Sequence, residues 1–314
     1  MLRNRSSGMA LALLALCIVG AFSSPQFFTL SNGLNVAQQV SIIGIMAVGM
    51  TFVIIAGDID LSVGSIYALA SVTAAQVLAQ GQSMLLAVAV GLGVGAIAGA
   101  VNGLLVVAFK IPSFIVTLGT LSVFRGVSLL LTEGSPISLK EGLANIDQFA
   151  VIGQGRLFGQ VPVQAVIFLA VAIAGVLLLT RSRFGFHVYA IGGSPTAARL
   201  AGINVSLIRV LNFAITGILA GLAGLIGLSF LLYVQGVSGA GLELTVITAV
   251  IVGGTALFGG SGSIIGTVIG VLIIGVLNNV LVLHGVSSFW QTTVIGIVII
   301  AAVAFDAFIR RRTA

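Results

Sequence analysis

The chain has 314 residues, of which 59% are apolar and only 6% are charged. Its mean hydropathy of +1.26 lies far above that of water-soluble globular proteins, because seven acidic and thirteen basic side chains cannot cover so large a surface. The basic residues stand singly at segment ends without aromatic interleaving, so no nucleic-acid partner is indicated. We therefore expect an integral membrane protein, and the continuous apolar runs favour an all-α protein over a β-barrel.

Ten apolar segments are candidate membrane-spanning helices, since a crossing needs roughly 20 apolar residues. The first and the eighth are short and could be tilted or incomplete. The 42 glycines predict close packing between helices. In chain order the segments are about 9–22, 36–56, 61–80, 84–109, 111–131, 163–180, 208–233, 244–258, 264–283 and 289–309.

The basic residues predict the orientation of the chain. Ten crossings place both termini on one side, which carries ten basic residues against two, Lys140 and Arg156, on the other. The positive-inside rule then makes both termini cytoplasmic. The loop 132–162, with Glu133, Glu141 and Asp147, is expected outside. The ten inside residues are Arg3, Arg5, Lys110, Arg181, Arg183, Arg199, Arg209 and Arg310 to Arg312.

Two halves of the chain carry similar motifs in the same order. "DLSV" (from Asp60) resembles "ELTV" (from Glu243), and "GAVNGLLVV" (containing Asn102) resembles "GVLNNVLVL" (containing Asn278). The offset is five helices, so helices 2–5 and 7–10 would have opposite orientations within a single transmembrane domain, 1–314. Inverted repeats are typical of transporters, whose substrate path runs between the repeats. The halves span about 36–131 and 208–309.

The stretch "GDIDLSVGS" places Asp58 and Asp60 between two apolar runs. Asp60 and Glu243 each open a predicted helix and precede a hydroxyl, on Ser62 and Thr245, by two residues. A carboxylate there can accept first-turn amide hydrogens and meet the positive end of the helix dipole. We therefore expect helix-end caps rather than deeply buried charges, with a gating or partner-contact role as the alternative. Asp58 is expected to be solvated.

The longest predicted inside loop, 181–207, contains a short helix. Ser194 followed by Pro195 forms an N-cap and first-turn pair, "TAARLA" favours a helix, and Gly202 is a natural stop. The glycine pair at Gly192 would be a flexible lead-in. Such a helix suits docking onto another protein, and an ordinary amphipathic connector at the membrane surface is the alternative.

These motifs carry a resemblance to permease subunits of bacterial ribose-type ATP-binding-cassette importers. The similar segments are "GDIDLSVGS", "NGLLV…IPSFIVTLGTLSVFRG", "RSRFGFHVYAIGGSPTAARLAGI" and "ITAVIVGGTALFGGSGSIIGT". The resemblance implies a ten-helix permease similar to the vitamin B12 importer type, in the bacterial inner membrane. Two permease chains, identical or different, would rest on two cytoplasmic ATPase domains that bind ATP and Mg. A periplasmic or lipid-anchored binding protein would deliver a monosaccharide.

The resemblance also implies a role for the short cytoplasmic helix as the coupling helix that enters a groove on the ATPase. The family usually has a glycine where this chain has Asp58, which leaves the role of that carboxylate open. The residues that correspond to the coupling helix are Gly193, Ser194, Pro195, Ala197, Ala198, Arg199, Leu200 and Gly202.

The sequence lacks the residues for an ATP site of the P-loop type and for a histidine metal site. The two lysines, Lys110 and Lys140, do not follow a glycine, so no P-loop is present and ATP hydrolysis requires a separate subunit. The chain itself is therefore expected not to be an enzyme. His187 and His284 lie in loops on opposite sides, which argues against a metal site.

A sugar path needs polar side chains on membrane helices. Each candidate could instead hydrogen-bond between helices. Arg125, the one cation well inside a predicted span, is expected to extend outward toward Glu133, or alternatively to line the outer mouth. The candidates are Gln38, Gln39, Asn102, Arg125, Asn212 and Asn278, with Thr117 and Gln291 as further possibilities.

Two functions remain from the sequence. The first is the permease subunit of an ATP-driven sugar importer. The second is an ion-coupled secondary transporter of a small polar solute, which would place carboxylates or histidines in mid-membrane. Because every carboxylate is expected at or near a helix end, the first function is favoured.

Overall fold

A computed structural model describes residues 2–140, 142–287, 289–291, 293–298 and 300–301, with the backbone alone for residues 2–7. Helices form nearly all of its regular structure. Glu141, Arg310 to Arg312 and the end of the predicted tenth span lie outside the described residues. The helices are α1 (Leu2–Ser23), α2 (Leu30–Ile55), α3 (Val63–Ala79), α4 (Met84–Phe109), α5 (Ser113–Thr132), α6 (Ala144–Gln154), α7 (Val163–Arg181), α8 (Arg183–Gly193), α9 (Pro195–Leu200), α10 (Val205–Leu231), α11 (Leu242–Val252) and α12 (Ile264–Leu283).

Six of the described helices are long and apolar enough to cross a membrane, namely α2, α4, α5, α7, α10 and α12. The prediction of a helical membrane protein is confirmed. The predicted segments 84–109 and 264–283 coincide with α4 and α12. The number of ten crossings stays a prediction. The shorter apolar helices are Gly8–Ser23, Val63–Ala79, Leu242–Val252 and Phe289–Val298, of which the last includes residue 292 outside the described set.

The eighth predicted span, 244–258, forms only a short helix, which agrees with the incomplete crossing that the sequence allowed. The helix α11 has 11 residues, or about 17 Å at 1.5 Å per residue, against a hydrocarbon core of about 30 Å. It ends because Gly253 and Gly254 follow, and Gly254 adopts a φ of +79°, which a helix cannot continue. The next residues form a glycine-rich loop, 253–263, before α12.

Close helix packing is confirmed at the contact between α4 and α10. Gly95 and Gly99 of α4 lie against backbone carbonyl oxygens of Gly217 and Phe213 in α10, so that an added Cβ would clash with them. Small residues at a spacing of four let two backbones approach along one stripe. The two helices thereby make one of the most extensive contacts in the fold.

Two central helices, α2 and α10, contact each other and organise the other elements around them. The helices α3 and α4 pack on α10, whereas α11 and α12 pack on α2. Most of α2 is buried, because its second half, from Gly44 onward, is enclosed on all sides.

The predicted outside loop is largely ordered structure. The helix α6 inserts Ile146 and Phe149 into a cluster with residues of α3 and α10. The Ser229 hydroxyl of α10 accepts the Gly153 N–H at 2.8 Å and donates to the Phe149 carbonyl at 2.6 Å. Two short antiparallel pairs complete the segment: β1 (Ile137–Ser138) pairs with β4 (Tyr233–Val234), and β2 (Arg156–Leu157) pairs with β3 (Val161–Pro162).

Candidate transport and coupling sites

The linker between α2 and α3 buries Asp58 against α10. Asp58 is 3% exposed; Arg209 Nη2 donates to its Oδ1 at 2.9 Å, and Arg209 Nε lies 2.9 Å from its Oδ2. Burial raises the pKa of the Asp58 carboxyl, and the Arg209 guanidinium opposes that shift. The expectation that Asp58 is solvated is therefore wrong. Sequence reasoning missed Arg209 as its partner, although both residues were predicted at the cytoplasmic ends of their segments.

Asp60 lies deeper in the same linker, at the start of α3. It is fully buried, and its Oδ1 accepts the Ser62 N–H at 2.8 Å and the Ser62 hydroxyl at 2.6 Å. Asn102 Nδ2 donates to that same hydroxyl oxygen at 2.7 Å. Among the described residues, Asp60 Oδ2 and Asn102 Oδ1 have no hydrogen-bond partner.

The geometry at Asp60 corrects the end-cap prediction. Asp60 does bind an amide at a helix start, but it is not a solvent-exposed cap. It lies two residues before the α3 N-cap, Ser62, whose hydroxyl connects α3 to α4 through Asn102. The structure therefore brings together three of the residues selected from the sequence: Asp60, Ser62 and Asn102.

Glu243 is the second residue of α11 and contacts the start of α3. Its Oε1 accepts the Gly241 N–H at 3.1 Å, and its Oε2 lies so close to Gly64 that a Cβ there would clash. Thr245 is largely buried, and its hydroxyl donates to the Gly241 carbonyl at 3.4 Å. The starts of α3 and α11, which carry the two acidic motifs, are thus in contact through Gly64 and Glu243.

Arg125 does not extend toward Glu133. Its Nη1 donates to the carbonyl oxygens of Gly236 and Ser238, at 3.1 Å and 2.6 Å. The side chain thereby fastens the loop between β4 and α11 onto α5. The partners of Arg125 are therefore backbone carbonyls of a distant loop, which no local sequence pattern predicts.

The remaining path candidates differ in their burial. Gln38 is half-buried and Gln39 is exposed. Asn212 is buried, and within the described part of the chain neither polar atom of its side chain has a partner. Asn278 is half-buried.

The sequence analysis missed Asn279, which exchanges two hydrogen bonds of 2.8 Å and 3.0 Å with Asn32. The pair connects α2 to α12. The repeat motif aligns Asn102 with the neighbouring Asn278 and not with Asn279. Thr117, a further candidate, is buried and donates to the Ser113 carbonyl at 2.9 Å. Gln291 Nε2 donates to the Val286 carbonyl at 3.5 Å.

The helix α9 begins and ends as its sequence predicts. Ser194 accepts the Ala197 N–H at 3.2 Å as N-cap, and Pro195 occupies the first turn. Gly202 follows with a φ of +83°, as a C-terminal stop. The lead-in is different: Gly192 and Gly193 end α8, and a Cβ at Gly192 would clash with the Ile55 carbonyl. This position is therefore closely packed rather than flexible.

The exposed face of α9 carries Leu200 and Arg199. Leu200 is 85% exposed, whereas Ala198 is only 4% exposed and packs inward. Ala198 therefore does not belong to the exposed face of α9. A leucine with this exposure on a short, capped helix is suited to contact an apolar surface.

The segment α8–α9 also contacts the ends of transmembrane elements. Tyr189 of α8 donates its hydroxyl to the Gly262 carbonyl at 2.8 Å. Gly260 in the same glycine-rich loop donates its N–H to Ile55, at the end of α2, at 2.9 Å. Movement of α8 would therefore reach α2 and the linker that carries Asp58 through direct contacts.

A cavity of about 680 Å³ lies between this linker and α9. The end of α4, the start of α5, α9 and the first turns of α10 line it. Asp58 and Arg209 form part of its wall, together with Lys110 and Arg199. The cavity therefore adjoins both the predicted coupling helix and the buried acidic linker.

Residues 32–303 match the family described as the branched-chain amino acid transport system / permease component. The chain belongs to this permease family. The permease is 44% identical to the Ribose import permease protein RbsC of Escherichia coli (strain K12), over 94% of this chain and 92% of that protein. It is 45% identical to the protein of the same name from Bacillus subtilis (strain 168), over 95% and 92%. The Fructose import permease protein FrcC of Rhizobium meliloti is 36% identical, over 95% and 84%. No solved structure matches the chain.

The comparisons confirm the resemblance that the sequence motifs carried, to permeases of the ribose import type. The match extends over both sequence halves and the segment α8–α9 between them. The permease is therefore similar to these relatives along most of its length, and not through one shared motif.

Proposed function

We propose that the permease is the transmembrane subunit of an ATP-driven importer that passes a monosaccharide from an external binding protein to the cytoplasm. The observation that carries this proposal is the match to ribose import permeases over more than nine-tenths of both chains. Because the sequence has no P-loop, ATP and Mg would be held by a separate ATPase subunit. The energy of hydrolysis would then reach the permease through a protein contact.

The proposed docking element for the ATPase is α9. Its cap at Ser194 and its stop at Gly202 keep six residues helical at the surface, and Leu200 offers an exposed apolar side chain. A firm helix transmits rigid-body motion, whereas a fraying one does not. The contacts of Tyr189 and Gly260 give that motion a route to α2.

The proposed architecture is ten crossings in two inverted repeats, of the vitamin B12 importer type, with both termini in the cytoplasm. The helix contacts support the repeats. In the proposed repeats α2 corresponds to α10, α3 to α11 and α4 to α12. The contacts agree with this correspondence, because α3 and α4 pack on α10 just as α11 and α12 pack on α2. A pseudo-two-fold axis between α2 and α10 would produce this pattern. A second permease copy and membrane lipid would cover the remaining apolar faces.

Reconstitution tests the proposed function directly. The permease would be co-expressed with a candidate ATPase subunit and placed in liposomes together with candidate sugar-loaded binding proteins. We expect one loaded binding protein to stimulate ATP hydrolysis and uptake of its monosaccharide, and the unloaded protein to stimulate neither fully. Stimulation only by branched-chain amino acids, or uptake without any ATPase, would contradict the proposal.

One observation favours ion coupling as a second candidate. Asp60 is fully buried and one of its oxygens has no partner among the described residues, which is a common feature of proton or sodium sites in transporters. Uptake driven by an imposed proton or sodium gradient in liposomes without ATPase would support this candidate. We expect no such uptake, because the chain matches ribose import permeases over nearly its whole length and Asp60 already accepts two hydrogen bonds from Ser62 through its other oxygen.

A further inference from the structure

The cavity beside α9 concentrates positive charge from three separate elements. Lys110 ends α4, Arg199 lies on α9 and Arg209 lies on α10, and all three line the same space of about 680 Å³. Asp58 is the one carboxylate among the lining residues, and it already pairs with Arg209 at 2.9 Å. Among the described residues that line the cavity, the two positive charges of Lys110 and Arg199 therefore have no countercharge.

The first turn of α10 adds to the positive electrostatic potential of the cavity. Ser206 lines the cavity one residue after the start of α10, and the N-terminus of a 27-residue helix carries the positive end of its dipole. Like charges that share a cavity repel each other, so an anion bound among them lowers the free energy of the site. A doubly charged phosphate group matches the two uncompensated cations.

We propose that this cavity is a binding site for a small phosphate-bearing anion of the size of a monosaccharide phosphate. Its volume lies within the range of roughly 300–1,000 Å³ typical of small-molecule sites. A bound anion would bridge the end of α4, α9 and α10, and would thereby oppose any movement of α9 relative to the two transmembrane helices. It would therefore slow transport from the cytoplasmic side. This role in regulation rests on the proposed function, whereas binding itself does not.

Binding is tested on the full chain in nanodiscs of uncharged phosphatidylcholine. Calorimetry would measure ribose 5-phosphate, ribose and inorganic phosphate separately. We expect ribose 5-phosphate to bind and ribose not to bind. The double variant Lys110→Gln with Arg199→Gln should weaken the Kd by about tenfold or more, because two charge-assisted contacts are lost. The control, Lys140→Gln with Arg156→Gln, makes the same charge change at exposed positions between α5 and α7 and should bind as the wild type does.

Further measurements distinguish a free sugar phosphate from a lipid headgroup as the source of the bound phosphate. If nanodiscs containing phosphatidylglycerol abolish ribose 5-phosphate binding to the wild type, the anion site stands and lipid headgroups are its source. Absence of any anion binding, or equal weakening in both double variants, would overturn the proposal. Loss of binding once the ATPase is assembled would overturn the regulatory role, in favour of an acidic side chain of that subunit as the partner of these cations. Failure of sugar-stimulated ATP hydrolysis with binding intact would refute the proposed function alone.

Discussion

The ion pair between Asp58 and Arg209 is asymmetric, because the two side chains differ in exposure. Asp58 is 3% exposed and Arg209 is 29% exposed. We predict that Arg209→Gln lowers stability by about 3 kcal/mol, since it leaves a buried carboxylate without a partner. Asp58→Asn should cost about 1 kcal/mol or less, because the guanidinium can turn into the cavity and its water. Thermal unfolding in detergent measures both changes.

The combined variant is the control for this pair. With both charges removed, no charge remains buried, so the double variant should be more stable than Arg209→Gln alone. Equal losses for the two single variants, or a further loss in the double variant, would contradict the asymmetry.

Single-residue predictions from the sequence depended on whether the partner was local. Ser194 caps α9 as expected, because its hydroxyl oxygen accepts the N–H of Ala197, which is only three residues away. Asp58 was misjudged because Arg209 is 151 positions away, and Arg125 was misjudged because its partners are loop carbonyls. Side-chain pairing across the fold is set by helix packing, which one sequence without contacts does not specify.

At the scale of helices, the α4–α10 contact depends on glycine at defined positions. An added Cβ at Gly99 would clash with the Phe213 carbonyl, whereas one at Gly93 meets nothing within 4 Å. We predict that Gly99→Ala destabilises the permease by about 1–3 kcal/mol, because a backbone must move. Gly93→Ala on the same helix is the control and should be neutral or slightly stabilising. Thermal unfolding of both variants in detergent decides this; similar melting temperatures would refute the close contact.

The exposed leucine of α9 gives the second prediction for an element. Leu200→Asp should leave folding nearly unchanged, because the side chain is 85% exposed. It should nevertheless abolish most co-purification of the ATPase, since in the proposed docking it puts an unpaired charge where an apolar side chain is buried. Phe158→Asp, at a 99% exposed position of the β2–β3 turn, is the matched control and should retain the ATPase. Normal ATPase recovery with Leu200→Asp would identify α9 as a connector only.

Element boundaries followed the sequence where apolar length and caps agreed, as for α4, α9 and α12. The helix α8 was missed, because Gly185 and a glycine pair at its end look like a loop, although Ser182 accepts the Gly185 N–H at 3.1 Å as its N-cap. The helix α6 was missed because it is only 11 residues long. Its stability comes from Ile146 and Phe149 in a tertiary cluster and not from its own sequence.

For the whole molecule, the orientation in the membrane is the prediction on which the cytoplasmic placement of α9 and its cavity depends. Cys17 is the single cysteine of the chain, so a Cys17→Ser background permits two single-cysteine variants. Phe158→Cys and Leu200→Cys both place the thiol at highly exposed positions, 99% and 85%, between α5 and α7 and on α9 respectively. A membrane-impermeant maleimide should label only Phe158→Cys in intact spheroplasts and only Leu200→Cys in inside-out vesicles. Added ATPase should protect Leu200→Cys alone, because docking would cover α9. Labelling of both variants from one side would exclude the proposed topology, since an odd number of crossings must separate the two positions.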